Sequence, residues 1–403
     1  MVKNVIVVSD YGYIEGGAGR IAHETAILLS QNGYNVVFFC AVSPVSDELK
    51  NSSIEVVCLE QSDILRERSR VKGVMRGLKN KEAQKRFRIL LQNFDRQETV
   101  IHVHTWTKAL SSIVFKEAKR AKIQVLITIH DYFLVCPNGG LFNYPKRKIC
   151  ELKPMSAKCF FCNCDARSYP QKLFRVLRQK RQNHNVRKNE FISYAFISEF
   201  SKREFLKRYN KIPQEKQYFL PNMVNFASNR TRIECEKNET YFFIGSLTEV
   251  KGIRIFCEAV SQANLKAVAI GDGIIKDELE KKYPNIQFIG WKSKEEMMPY
   301  LRQARCLIFP SIWYETMGLV PLEVMAYGMP VICSKLNAAS EYVSPELLYD
   351  GTVQGLIKSI EETLDDNFIN SIATKVFDNF DDRCYGKSAY LGKLSQIYNG
   401  IVL

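Results

Sequence analysis

The sequence predicts an α/β protein made of two doubly wound, parallel-sheet domains. Three observations predict it. A length of 403 residues suffices for two ordinary domain cores. Continuous apolar strand patterns alternate with helical patterns in two successive series, the signature of βαβ architecture. A polar stretch, Ala227–Asn238, separates the two series. The composition, 46% apolar and 25% charged, is that of an ordinary globular chain. No run approaches the roughly 20 apolar residues that span a bilayer. The opening MVKNVIVVSD has too short an apolar run for a signal peptide and reads as a first strand. A cytoplasmic protein is expected.

In chain order, Asn4–Val8 is an apolar run suited to a strand buried on both faces. EGGAGR follows, then a helical pattern from Arg20 to Gln31 ending at Gly33, then a strand at Asn35–Ala41. The glycines mark a strand-to-helix turn, but the full G-x-G-x-x-G spacing of dinucleotide sites is missing. Further strands are expected at Val100–Val103, Val125–Ile129 and Ile192–Ile197, the last followed by a capping box of Ser201 and Glu204. The second series has strands at Tyr241–Ile244, Ala267–Ile270, Ile286–Ile289, Leu307–Phe309 and Val331–Ser334. Helical patterns lie between them at Ile253–Ala263, Lys276–Lys282 and Glu295–Gln303. The domains are placed at 1–226 and 239–384, with a cysteine-rich insertion at about 132–170. A helix at 385–403 is expected to pack back on the first domain.

YETMGLVPLEVMAYGMPVI carries the most chemical information. Seven residues separate Glu315 from Glu323. Pro321 suits a first helical turn, and Gly328 and Pro330 stop the helix soon after. Glu323 is thus expected on a short helix and Glu315 in the loop before it. Backbone N–H groups of Gly318, Leu319 and Val320 would point out of the helix start toward a phosphate. Two carboxylates on either side of a bound diphosphate suit the hydroxyls of a nucleotide sugar.

With these residues in view, the chain resembles the retaining glycosyltransferases of family 4, which have the GT-B fold of two Rossmann-like domains facing across a cleft. The resemblance is strongest from about Tyr241 to Val343. GSLTEVKG (Gly245 to Gly252) is similar to the family's diphosphate-binding segment, AIGDG (Ala269 to Gly273, with Asp272) to its next strand-loop, and FIGW (Phe288 to Trp291) to the one after. The resemblance implies that Glu315 accepts hydrogen bonds from donor-sugar hydroxyls and Glu323 from the ribose. It implies that Lys251 holds the leaving diphosphate. In the first domain it implies that Gly16 and Gly17 let backbone approach phosphate and acceptor, and that His130, beside Asp131 in TIHDYF, faces the donor sugar. Trp106 in HVHTW either stacks on an acceptor sugar or is packed. Two departures stand out. Family members commonly carry Arg where this chain has Ser246, with Arg254 near in sequence as a substitute. The family's Gly-Gly before a late Glu is replaced by Asn337 and Ala338 ahead of Glu341.

The net charge of +14 is concentrated in two stretches. Arg66–Arg88 holds ten Lys or Arg against Glu67 and Glu82, and Lys172–Lys211 holds twelve against Glu190, Glu199 and Glu204. No RNA-binding aromatic motif, zinc finger or recognition helix accompanies them, so an anionic membrane surface is expected as a partner and nucleic acid is not. Five of the twelve cysteines fall within Cys136–Cys164. Cys159-x-x-Cys162 has the turn spacing of a zinc half-site, and Cys136 with Cys150 would complete a structural zinc set, Cys164 being able to replace one of them. No Asp-x-Asp sits in a donor-binding context, so no metal or other cofactor is expected for the chemistry.

The expected activity is transfer of a sugar, with retention, from a nucleotide-diphosphate-sugar to a hydroxyl of a saccharide or lipid-linked acceptor. The expected setting is cell-surface polysaccharide synthesis at the inner face of the membrane. A nucleotide-sugar epimerase of the same architecture and a catalytically weak sugar-nucleotide-binding subunit are the alternatives.

Overall fold

A computed structural model describes residues 1–227 and 229–402. They form two compact units. The first comprises residues 1–141, 151–223 and the C-terminal segment from Lys387; the second comprises Phe142–Cys150 and Val224–Gly386.

The strands of the first half of the chain are β1 (Asn4–Val8), β2 (Asn35–Val42), β3 (Glu55–Gln61), β4 (Thr99–Val103), β5 (Gln124–Ile129), the short β6 (Phe142–Asn143) and β7 (Lys148–Ile149), β8 (Ile192–Phe196) and β9 (Gln217–Phe219). All but β6 and β7 join one parallel sheet in the order β3-β2-β1-β4-β5-β8-β9. Val5 to Val8 and all of β4 are buried, because helices cover both faces of a parallel sheet. The second unit holds β10 (Thr240–Ile244), β11 (Ala267–Ile270), β12 (Ile286–Phe288), β13 (Ala304–Phe309), β14 (Val331–Ser334) and β15 (Leu348–Tyr349), ordered β12-β11-β10-β13-β14-β15. Both sheets thus have the doubly wound order, in which the chain reverses direction beside the first strand.

Several details differ from the sequence expectation. The first helix runs Gly16–Gln31, so the expected glycine loop is its first turn rather than a separate turn. The helix after β8 is capped by Ser198, whose side chain accepts from Ser201 N, and not by Ser201. Glu204, expected in that capping box, pairs instead with Lys207 and Arg208. The antiparallel β6–β7 hairpin lies in the expected first domain by sequence but groups with the second unit, where Arg147 Nη2 lies 3.4 Å from Glu249 Oε1. The expected linker is tied into the second unit: the Arg230 guanidinium covers the rings of Phe377 and Phe380 and pairs with Asp382 at 2.7 Å.

The C-terminal helix, Lys387–Val402, belongs to the first unit. Tyr398 Oη is 2.7 Å from His102 Nδ1, Tyr390 Oη is 3.0 Å from Thr25 Oγ1, and Asn399 Oδ1 accepts from Val2 N at 3.0 Å. Among the described residues, no helix is long and apolar enough to cross a membrane.

Candidate active site

In the second unit, strand order reverses between β10 and β13, where doubly wound sheets leave a crevice at their carboxyl ends. The loops leaving these two strands are held together by close backbone contacts. Lys251 ends a short 3-10 turn, and Gly252 follows it at φ +73°. A Cβ on Gly252 would lie 2.0 Å from Pro310 O, so only glycine fits this approach. Ile312 N donates to Val250 O at 3.0 Å. Gly271, at φ +141°, lets the loop after β11 press on the loop after β10, where a Cβ would lie 1.9 Å from Gly245 O.

This closure brings Lys251 Nζ to 2.6 Å from Glu315 Oε1, across 64 residues of sequence. The same oxygen accepts from Ser311 Oγ and Trp313 Nε1, each at 2.8 Å. Lys251 Nζ also sits 5.5 Å from the Trp313 ring centroid. Burial is the largest single influence on Glu315 and would raise its pKa. Lys251, Trp313 and Ser311 together outweigh it and hold the carboxyl below its ordinary value. Glu315 is therefore an ionised, oriented acceptor whose Oε2 takes part in none of these bonds. Its loop is held from behind, since Ala338 N donates to Glu315 O at 3.3 Å and Asn337 Oδ1 accepts from Ala339 N at 3.0 Å. Asn337 and Ala338 thus take a structural part in supporting this loop.

Gly318 is the N-cap of a two-turn helix, Leu319–Met325, and Tyr342 Oη donates to Gly318 O at 2.7 Å. Glu323 lies on this helix, where its carboxylate is 2.9 Å from Lys294 Nζ and lines a cavity of about 260 Å³ with Ile244, Met298 and Tyr327. Asp272 Oδ2 accepts from Trp291 N at 2.8 Å and so ties the loop after β11 to the loop after β12. Ser246 is exposed. Arg254 is committed elsewhere: it donates to Glu249 at 2.7 Å and, through two nitrogens, to Glu278 at 2.7 and 2.8 Å. It does not replace the cation missing at Ser246. Sequence reasoning missed Ser311, Trp313 and Lys294. The first two lie within the same FPSIWYE run as Glu315, a signal that could have found them.

In the first unit, three histidines gather at the carboxyl ends of β4 and β5. His104 Nδ1 is 2.9 Å from His130 Nε2, with the rings stacked at 5.2 Å. His102 Nε2 is 2.7 Å from Thr128 Oγ1, and its ring lies 4.2 Å from that of His104. Burial pushes His130 and His102 down to about 3 and His104 well below its ordinary value, so all three are neutral imidazoles at pH 7. Burial raises Asp131 to about 6. Asp10, at the end of β1, accepts three backbone N–H bonds, from Lys108, Ala109 and Leu110, each at 2.9 Å. Trp106 is packed: its Nε1 donates to Gln182 Oε1 at 2.8 Å and its ring meets Phe115 edge-on. It is not an acceptor platform. Gly16 and Gly17 open a helix whose N-cap, Glu15, makes no side-chain capping bond.

The expected zinc set is Cys136, Cys150, Cys159 and Cys162. Among the described residues no group of three or more His, Cys, Asp or Glu side chains is placed to hold a metal ion. The cation among these thiols is the buried Lys172, whose Nζ lies 3.2 Å from Cys164 Sγ, 3.7 Å from Cys159 Sγ and 2.9 Å from Cys159 O. Its ammonium is satisfied by these sulfur and carbonyl acceptors.

Residues 238–366 match the family described as "Glycosyl transferases group 1". Over 264 residues the chain is 26% identical to a Klebsiella pneumoniae protein described as an uncharacterized 41.2 kDa protein in the cps region, covering 63% of this chain and 70% of that one. Among solved structures, the sucrose-phosphate synthase of Thermosynechococcus elongatus superposes with a TM-score of 0.71 at 17% identity, over 98% of both chains. Anabaena Alr3699/HepE, solved in complex with UDP and glucose, superposes with a TM-score of 0.66 at 14% identity, over 99% of both chains. The chain therefore has the GT-B fold, and residues 238–366 of its second unit match the glycosyl transferases group 1 family.

Proposed function

We propose that this chain is a retaining glycosyltransferase. It moves a sugar from a nucleotide-diphosphate-sugar to a hydroxyl of a saccharide or lipid-linked acceptor, in cell-surface polysaccharide synthesis at an anionic, cytoplasmic membrane surface. The observation that carries this reading is the Lys251–Glu315 pair at the switch point of the second sheet, inside the stretch that matches the group 1 domain. The cps location of the Klebsiella relative and the UDP and glucose bound to Alr3699/HepE support the setting and the donor class.

Each residue has a role that suits its chemistry. Glu315, fixed through Oε1, offers Oε2 to hydroxyls of the donor sugar. Lys251 shares its charge between Glu315 and the diphosphate, where negative charge grows as the sugar leaves. The amides of Leu319 and Val320 add donors, as do those of Gly16 and Gly17 at the open start of their helix. Glu323, neutralised by Lys294, accepts from the ribose, and Asp272 holds the loops around the nucleotide. His130 is a neutral hydrogen-bonding group for the sugar. The bond between C1 of the sugar and the diphosphate oxygen breaks, its electron pair going to that oxygen. The acceptor oxygen bonds to C1 on the same face, and its proton passes to the departing phosphate. No metal takes part in this scheme.

Measuring nucleotide diphosphate release with an acceptor extract tests the site. Glu315→Gln and Lys251→Ala should each lower turnover by roughly a hundredfold or more. Near-normal turnover in both variants would sink the assignment, and an inverted anomer by NMR would sink retention. Ser246, with Arg254 tied to Glu249 and Glu278, favours one second reading, a catalytically weak sugar-nucleotide-binding subunit. Donor binding without turnover would select it.

A further inference from the structure

The helix Arg70–Leu78 in the first unit is turned inside out. Small residues face its own protein, where Gly73 and Gly77 are buried so tightly that a Cβ would lie 2.8 Å from Ile64 O and 2.6 Å from the Phe174 ring. Its large apolar residues face outward. Val71 is 73% exposed, Met75 61% and Val74 40%, and these i, i+3 and i+4 positions share one face. In a helix that served only its own core, the glycines would be outside and these three inside.

Charge says what covers that face. Arg66, Arg68, Arg70 and Lys72 are all exposed, and Arg70 and Lys72 flank the Val71 stripe on either side. Glu67 is the sole acid between Ile64 and Lys79, and it is occupied by Arg76 at 2.9 Å. A protein partner would need a complementary acidic surface with an apolar centre. An anionic bilayer supplies phosphates at the depth of the cations and hydrocarbon just below them.

We propose that the Arg70–Leu78 helix is the membrane-docking element. It lies in the plane of an anionic lipid surface, with Val71, Val74 and Met75 below the headgroups and Arg66, Arg68, Arg70 and Lys72 on lipid phosphates. This rests on the membrane part of the proposed function and names the surface that performs it. Three apolar side chains give a shallow, reversible attachment, so apolar burial and charge are both required.

Co-sedimentation of the full chain with vesicles of phosphatidylethanolamine and phosphatidylglycerol, against vesicles of phosphatidylcholine alone, tests it. The unaltered chain should bind the anionic vesicles and release with salt. Val71→Asp with Met75→Asp, and separately Arg68→Glu with Arg70→Glu, should each weaken binding by roughly tenfold or more. Arg181→Glu with Lys188→Glu, in the other basic stretch, should change it little. All these side chains are exposed, so unfolding midpoints should not move. Val71→Trp gives a second readout, an added blue-shifted emission on anionic vesicles alone. If the unaltered chain binds and the helix variants bind equally well, the helix proposal falls while the membrane reading stands. If the unaltered chain does not bind anionic vesicles, both fall. A concentration-dependent dimer abolished by Val71→Asp would overturn the proposal in favour of a second copy of the chain.

Discussion

Replacing Lys251 by Met tests the link between charge pairing and folding at the site. Breaking a fully buried ion pair costs about 3–5 kcal/mol, whereas an exposed pair contributes about 0–1 kcal/mol. Here the Glu315 side chain is 11% exposed and that of Lys251 27%, and Ser311 and Trp313 still donate to the carboxylate in the variant. The expected loss at pH 7 therefore lies between the two limits, at about 1–3 kcal/mol. Glu315→Gln keeps the shape and removes the charge, so the double variant should be less damaged than the sum of the singles, with a coupling of about 1–2 kcal/mol. The effect should also depend on pH with a definite sign. In the unaltered chain the folded pKa of Glu315 is depressed. Its contribution is present above the unfolded value of about 4.3 and is lost as pH falls through the folded value. Without Lys251 the carboxyl loses the two largest influences that lower its folded pKa, so that pKa rises and the stability the pair supplied at pH 7 is lost. The gap between variant and unaltered chain should be full at pH 7 and narrow below about pH 4. Urea unfolding at the two pH values measures it. A gap under about 0.5 kcal/mol, or additive single variants, would refute the reasoning.

Three further outcomes are expected. Gly252→Ala forces a left-handed alanine into Pro310 O and should cost about 2–4 kcal/mol by urea unfolding, with weaker nucleotide binding by calorimetry because Lys251 is displaced. Trp106→Phe strands the buried Gln182 carbonyl and should cost about 1–3 kcal/mol, while transferase turnover of the folded protein stays normal. Asp10→Ala orphans the buried amides of Lys108, Ala109 and Leu110 and should lower stability by about 3 kcal/mol or more, seen as a fall in the thermal midpoint.

Much of the architecture was legible because strands buried on both faces read as unbroken apolar runs. Asn4–Val8, Val125–Ile129 and Leu307–Phe309 are of this kind. β3 was not legible: it is the sheet's edge, none of its residues is fully buried, and it carries the exposed Glu55 and Glu60. β15 is too short for any pattern. Ser198 and Ser201 both stand three residues before a residue they could cap, and only the folded chain chooses Ser198. At the site, Glu315 and Lys251 stood out as separate motifs, but their 2.6 Å contact is a product of Gly252 meeting Pro310, which no local pattern encodes. The partnership of Glu323 with Lys294 was hidden for the same reason. Cysteine spacing is blind to Lys172, a cation that reaches Cys159 and Cys164 from the next helix.

The C-terminal helix has a consequence for how the chain is made. Tyr398 is the hydroxyl on His102, and it is encoded 296 residues later, a delay of roughly 15–60 s at ordinary rates of synthesis. Until then His102, Thr25 and Val2 lack the partners that the finished chain gives them. The second unit, by contrast, has all its residues once Gly386 has emerged. The half of the protein that is translated first is therefore the half that finishes folding last, and a ribosome that stalls before Lys387 leaves β4 and the first helix exposed on the side where the last helix belongs.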